Sequence, residues 1–283
     1  MTRCLFVSDL HGNISKYEKL VAKIETDKPD IVLFGGDLTP NPSKRLPDNI
    51  RDFFNDYFIP LFKHLRSKLK KHYPEMLIIL GNDDDRTLEN EFIRKQKMGL
   101  WKYMHKNRFN YKEFSFFGYS HVPPTPFLYK DWERYDLSRY VDPGCIPPAE
   151  GYHTIDSGED IEFITIQSEL ESLTGDTDLS KSIFLFHSPP YQTNLDRAAL
   201  DGIKYDHVPL DVNVGSIAIK KFIENRQPWL TLHGHIHEST RITGEWKEQT
   251  GKCLSFNAAH DGTELSVISF ELEDVANAKR ILI

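Results

Sequence analysis

Five short apolar runs recur along the chain: Cys4–Ser8, Ile31–Phe34, Met76–Leu80, Ile183–Phe186 and Trp229–Leu232. Each is of strand length and lacks polar alternation, the pattern of a strand covered on both faces. The segments between them carry helical spacing instead. Tyr17, Leu20, Val21 and Ile24 share one helical face, behind Ser15 and Glu18 at the separation of a capping box. An amphipathic stretch from about Asp48 to Lys71 predicts a second helix, and Gly215-Ser216 opens a third that runs to about Asn225. Strand followed by helix is the alternation of a mostly parallel sheet. After Gly234 the pattern changes to period two, with Leu265 and Val267 and then an offset Phe270 and Leu272, predicting antiparallel strands that extend the sheet.

One stretch fits neither period. From about residue 121 to 152 the chain is rich in proline and aromatics, among them Phe127, Tyr129, Trp132, Tyr135, Tyr140 and Tyr152. So many aromatics oppose disorder, so this reads as a long ordered excursion packed as core or as a lid, inside a single domain spanning 1–283.

Composition narrows the class. Hydrophobic residues make up 39% and charged residues 27% of 283, enough to build a globular core. Cys4, Cys145 and Cys253 are far apart and odd in number, which argues against a disulfide framework or a thiolate zinc site. The longest purely apolar run, Met76–Leu80, is far short of a membrane span, and no leader peptide opens the chain, so a soluble cytoplasmic protein with no membrane partner is expected. A formal charge of -7 disfavours broad nucleic-acid binding, which needs clustered Lys and Arg.

The informative feature is what each strand runs into. The five runs end in Asp9-Leu10-His11, Gly35-Gly36-Asp37, Gly81-Asn82-Asp83, His187, and Gly234-His235-Ile236-His237. In open α/β sheets, sites gather outside the carboxyl ends of the strands, so these ends are expected to share one crevice. Four imidazoles, two carboxylates and one amide oxygen suffice for two ions with one shared ligand. Nitrogen and oxygen donors without thiolate suit Mn²⁺, Fe²⁺, Zn²⁺ or similar divalent ions.

The five ordered motifs resemble those of the calcineurin-like metallophosphoesterase family: Asp-x-His, Gly-Asp, Gly-Asn-His-Asp/Glu, a lone His and Gly-His-x-His. The resemblance runs from Asp9 to His237 and implies an α/β fold, a four-layer αββα sandwich of two mixed sheets flanked by helices. It implies that Asp9, His11, Asp37 and His237 hold one metal, and that Asp37, Asn82, His187 and His235 hold the other. The implied activity is hydrolysis of a phosphate ester on a small molecule, more in keeping with a phosphodiester than a monoester, by a metal-bound hydroxide. A catalytically weak scaffold of the same fold is the rival reading. The chain departs from the pattern at Asp83, where the family has the histidine that serves the leaving group. Asp83 is therefore the candidate catalytic acid, with His121 or His260 as alternatives arriving from elsewhere, and a substrate whose leaving group needs little protonation as a further one. Asp84 and Asp85, next in the run, read as a helix N-cap.

Overall fold

The computed structural model describes residues 1–41, 46–47, 50–156 and 158–283. The strands are β1 (Arg3–Val7), β2 (Ile31–Gly35), β3 (Glu75–Ile79), β4 (Lys102–Tyr103), β5 (Arg108–Tyr111), β6 (Phe114–Tyr119), β7 (Ser182–Phe186), β8 (Lys204–Tyr205), β9 (Val208–Pro209), β10 (Leu230–His233), β11 (Lys247–Thr250), β12 (Cys253–Asn257), β13 (Ser266–Glu271) and β14 (Asp274–Leu282). The helices are α1 (Ile14–Asp27), α2 (Ile59–Leu69), α3 (Glu89–Lys95), α4 (Ile166–Thr174), α5 (Ile217–Arg226) and α6 (Ser239–Thr243).

Two six-stranded mixed sheets result, ordered β14-β13-β1-β2-β3-β4 and β11-β12-β10-β7-β6-β5, with β8-β9 as a separate hairpin. In the first sheet β1 to β4 are parallel, and β13 and β14 add antiparallel strands at one edge. In the second, β12, β10, β7 and β6 are parallel, and β11 and β5 close the two edges antiparallel. The strand period explains the layering, since successive side chains point to opposite faces. Leu5, Val7, Val32 and Phe34 pack outward with Tyr17, Leu20, Phe58 and Phe62 of the first helical layer. Cys4, Phe6, Ile31 and Leu33 pack inward with Ile183, Leu185, Leu230 and Leu232 of the second sheet. On the far side Phe184 and Phe186 meet Leu170, Ile219 and Phe222 of α4 and α5. Helix, sheet, sheet and helix make the four-layer αββα sandwich.

All five predicted strands form, and α5 opens at Ser216, whose side chain accepts from the Ile219 N–H. Other expectations are corrected. The cap of α1 is Asn13, accepting from the Lys16 N–H, so Ser15 already lies inside the helix and makes no capping box. Asp48 lies outside the described residues; helical structure begins at Phe53 with a wide π-type turn that leads into α2. Strands β6 and β12 fall outside the five apolar runs because Ser115 and Gly118 interrupt one and Ser255 the other. Ser255 is nevertheless buried, its hydroxyl 2.7 Å from that of Thr231. The C-terminal strands extend both sheets, β11 and β12 joining one and β13 and β14 the other.

The 121–152 excursion is packed in part, with Phe127, Tyr140 and Tyr152 exposed. Val122, Trp132 and Tyr135 are buried, and so are Lys130 and Glu133, which pair at 2.6 Å. All three cysteines are free. No helix among the described residues is long and apolar enough to cross a membrane.

Candidate metal centre

The loops after β1, β2 and β3 meet those after β7 and β10 where the two sheets face each other. Backbone bonds join the first two loops: Asp9 N–H donates to Gly36 O (3.0 Å), His11 N–H to Asp37 O (2.8 Å) and Gly12 N–H to Leu38 O (2.9 Å). Gly234 N–H donates to His187 O (2.9 Å), joining the two loops of the second sheet. The sheets are tied to each other by the His235 N–H, which donates to the Asp9 carboxylate at 3.1 Å.

Such tight turns need unusual backbone. Asp9 (φ 59°), His11 (φ 45°), Asp37 (φ 53°) and His235 (φ 69°) all occupy the left-handed region. For residues with a Cβ this conformation is strained, and it persists only where the surroundings over-determine it. Two glycines are required by contact rather than conformation alone. A Cβ on Gly36 would stand 2.6 Å from His187 Nδ1, and one on Gly81 would stand 2.6 Å from the Asp37 backbone nitrogen and overlap the Asp37 carboxylate.

Two groups of donor atoms result: Asp9, His11, Asp37 and His237, and Asp37, His187 and His235, the atoms of each lying within 4.8 Å of one another. Asp37 belongs to both. The seventh predicted residue, Asn82, joins the second group, its Oδ1 2.9 Å from His187 Nε2.

Proton accounting shows what these groups fit. His187 Nδ1 lies 2.7 Å from Gly35 O, a carbonyl that can only accept, so Nδ1 is the donor there. In the neutral ring Nε2 then carries a lone pair, aimed at Asn82 Oδ1 and, at 3.4 Å, at Asp37 Oδ2. Three electron-rich atoms facing one another fit a cation between them. The other group repeats the pattern, with His11 Nε2 and His237 Nε2 at 3.1 Å and Asp9 Oδ1 3.1 Å from the latter.

Protons are drawn to the same donor groups. Burial opposes charge on His187, yet the Asp37 carboxylate, with Asp9 behind it, pushes its pKa up to about 10. Burial opposes charge on His237 too, and the Asp9 hydrogen bond and charge raise it to about 9. His235 moves the other way, to about 3, through burial and then the charge of His187. Burial alone would raise the Asp9 and Asp37 carboxyls, but the surrounding imidazoles hold both well below the ordinary range. Divalent ions compete for these same lone pairs.

Asp83 stands at the rim. Its backbone N–H donates to Asp37 Oδ1 (2.8 Å), Asn82 Nδ2 donates to its Oδ1 (3.0 Å), and its Oδ2 lies 3.6 Å from His11 Nδ1. Burial and then the Asp37 charge push its carboxyl up to about 6. The alternative acids lie elsewhere. His121 is buried with Nδ1 2.8 Å from Glu169 Oε2, and His260 contacts Glu264 and Asp261.

Asp84 is no helix cap. Fully buried, its carboxylate accepts from Leu38 N (3.0 Å), Thr39 N (2.7 Å), Thr39 Oγ1 (2.6 Å) and Gly81 N (2.9 Å), bracing the loop of Asp37 against that of Asn82. Asp85 does cap, accepting from Thr87 N at 2.8 Å, though over a single 3₁₀ turn. Sequence reasoning missed this brace. The only trace of it is the acidic run itself, and that does not distinguish a brace from a cap.

The family model for calcineurin-like phosphoesterases matches residues 2–239. Among solved structures, the TT1561 protein of Thermus thermophilus superposes with a TM-score of 0.59 at 16% identity, covering 99% of this chain and 98% of that one. A dimetal phosphatase from Danio rerio superposes at 0.50 and 10% identity, covering 95% and 91%. At these identities the likeness is one of fold. No curated protein matches the sequence.

Proposed function

Since the chain belongs to the calcineurin-like phosphoesterase family and is a metal-dependent phosphohydrolase, we propose that it holds two divalent ions and cleaves phosphodiesters in preference to monoesters. The observation that carries this reading is the pair of donor groups drawn from both sheets and sharing Asp37. In it Asp9, His11, Asp37 and His237 hold one ion, and Asp37, Asn82, His187 and His235 hold the other. Bound there, two divalent ions supply Lewis-acid activation of water and neutralise charge on the phosphoryl oxygens.

The chain's own residues do the rest. Among the seven ligands only Asp9 and Asp37 are carboxylates, so the ligand set neutralises half the charge of two such ions and the remainder draws an anionic phosphate into an otherwise acidic protein. Gly35 O fixes the His187 tautomer, and Asp9 orients His235 through its backbone N–H. Phosphoryl transfer rests on such positioning and electrostatics, and needs no nucleophilic side chain.

The diester preference rests on Asp83. Where the family's pattern has a histidine, a carboxylate faces the rim and repels the second negative charge of a monoester. A diester carries only one. Asp83 is also the residue we place beside the leaving group, as the candidate acid. The substrate is a small phosphate ester rather than a nucleic acid, in keeping with the net charge of -7.

Hydrolysis of bis-p-nitrophenyl phosphate and p-nitrophenyl phosphate by chelator-stripped protein, with and without Mn²⁺, tests the reading. Metal-restored turnover favouring the diester is the expected result. Asp37→Asn and His235→Ala should each lower that turnover at least 100-fold and reduce bound metal in elemental analysis. Full activity in either variant would remove the metal mechanism.

A further inference from the structure

We propose that Trp132, from the proline- and aromatic-rich excursion, is a positioning residue that sets the affinity of the second metal site while leaving the first alone. The proposal rests on the dinuclear reading and goes beyond it, because it assigns the excursion the task of a buttress.

The two donor groups are held unequally. The three loops that supply the first group's ligands are joined directly: those after β1 and β2 by three backbone bonds, and that after β10 by the His235 N–H on Asp9. Asn82 alone comes from the loop after β3. That loop is held from within by the Asp83 N–H on Asp37 and by the Asp84 carboxylate. From outside, Trp132 Nε1–H donates to Asp84 O at 2.7 Å.

Trp132 is itself fixed. The ring is fully buried, the Arg86 guanidinium lies 5.0 Å from its centroid, and the His105 ring meets it edge-on at 5.2 Å. Its neighbour Asp131 is anchored in turn: Oδ2 accepts from Arg86 N at 3.0 Å and from the Thr154 hydroxyl at 2.5 Å, and Oδ1 accepts from Thr154 N at 2.7 Å. The excursion thus grips the turn that carries Asn82 at two nearby backbone positions, Asp84 O and Arg86 N. A buried carbonyl deprived of its donor reorients toward another partner, and the turn moves with it. Asn82 would feel that movement. Asp9, His11 and His237, on other loops, would not, and the shared Asp37 is held in place from the loop after β1 by the His11 N–H on its carbonyl and the Asp9 N–H on Gly36 O.

The test is a calorimetric titration of chelator-stripped full-length protein with Mn²⁺ alone, comparing wild type with Trp132→Phe, which keeps a buried ring and removes the N–H. The expected result is two equivalents in both, with the first affinity unchanged and the second weakened about tenfold. A merely structural role would move both affinities together through overall stability. Equal weakening of both equivalents, or of neither, overturns the proposal while the dinuclear reading stands. Wild-type protein that takes up fewer than two equivalents overturns both. Should Trp132→Phe fail to fold, Thr154→Val, which loosens Asp131 and through it the Arg86 amide, should weaken the second affinity alone by about threefold. The same two contrary outcomes apply to it.

Discussion

Asp9, His11, Asp37 and His235 occupy a backbone region that costs each of them on the order of 1 kcal/mol, and all four converge on one crevice. The strain is bearable because glycines beside them let the loops close in. Gly81 is the sharpest case: its α-carbon faces Asp37, the residue common to both donor groups, and an added methyl would also sit 2.6 Å from His187 Cε1. The groups it would meet are a backbone nitrogen and two side chains already committed to the site. Gly81→Ala should therefore push Asp37 out of register while the sheets survive. Elemental analysis should find less than one metal equivalent, and phosphodiester turnover should fall at least 100-fold. Metal content equal to wild type would mean that the loops have slack the packing does not reveal.

At the scale of elements, what was legible in the sequence followed from periodicity and from donor chemistry. The five central strands announce themselves because both their faces are buried, and all seven metal-ligand candidates follow directly on those strands. The other strands were harder to see, since the edge strand β11 carries Lys247, Glu248 and Gln249 to its partly exposed surface and the interior strand β6 is broken by Gly118. The excursion was legible only as ordered, because its function depends on Trp132 meeting a carbonyl some 48 positions away, a contact no local pattern encodes. Behind it His105, after β4, and His121, after β6, form a buried pair with ring centroids 4.7 Å apart. His105 is pushed well below its ordinary 6.5 by burial, then by His121 and Lys106; His121 by burial, then by Arg134, Lys106 and Arg86, with Glu169 on α4 bonded to its Nδ1. Depressed histidines are neutral when folded, so below pH 6.5 the unfolded chain binds protons that the folded chain refuses. Their contribution is complete above that pH and shrinks as pH falls, by at most about 4 kcal/mol for the pair between pH 7 and pH 5. Urea melts of metal-free wild type and of a His105→Gln, His121→Gln double variant should show the difference between the two proteins narrowing as the pH is lowered over that range. A constant difference would mean that the two rings take up protons in the folded protein as readily as in the unfolded chain.

For the whole molecule, the candidate site is also a joint between the two sheets. The loops after β1, β2 and β3 supply Asp9, His11, Asp37 and Asn82 from the first sheet, and those after β7 and β10 supply His187, His235 and His237 from the second. Neither sheet alone offers a complete donor set, so ions bind the assembled sandwich and not the unfolded chain. A ligand specific to the folded state at 100 times its Kd adds about 2.7 kcal/mol, so two ions add about 5 kcal/mol. For a domain of this size each kcal/mol moves the melting temperature by about 2 to 4 °C, and chelation should lower Tm by on the order of 10 °C. Calorimetry with and without chelator measures this, and the variants separate its sources. Asp37→Asn, which damages both groups, should lose nearly all of the metal-induced rise. Asn82→Ala, confined to the second group, should lose about half of it. If Asn82→Ala kept the full rise, the second ion would not be contributing to the joint, and the stabilisation would belong to the Asp9, His11, Asp37 and His237 group alone.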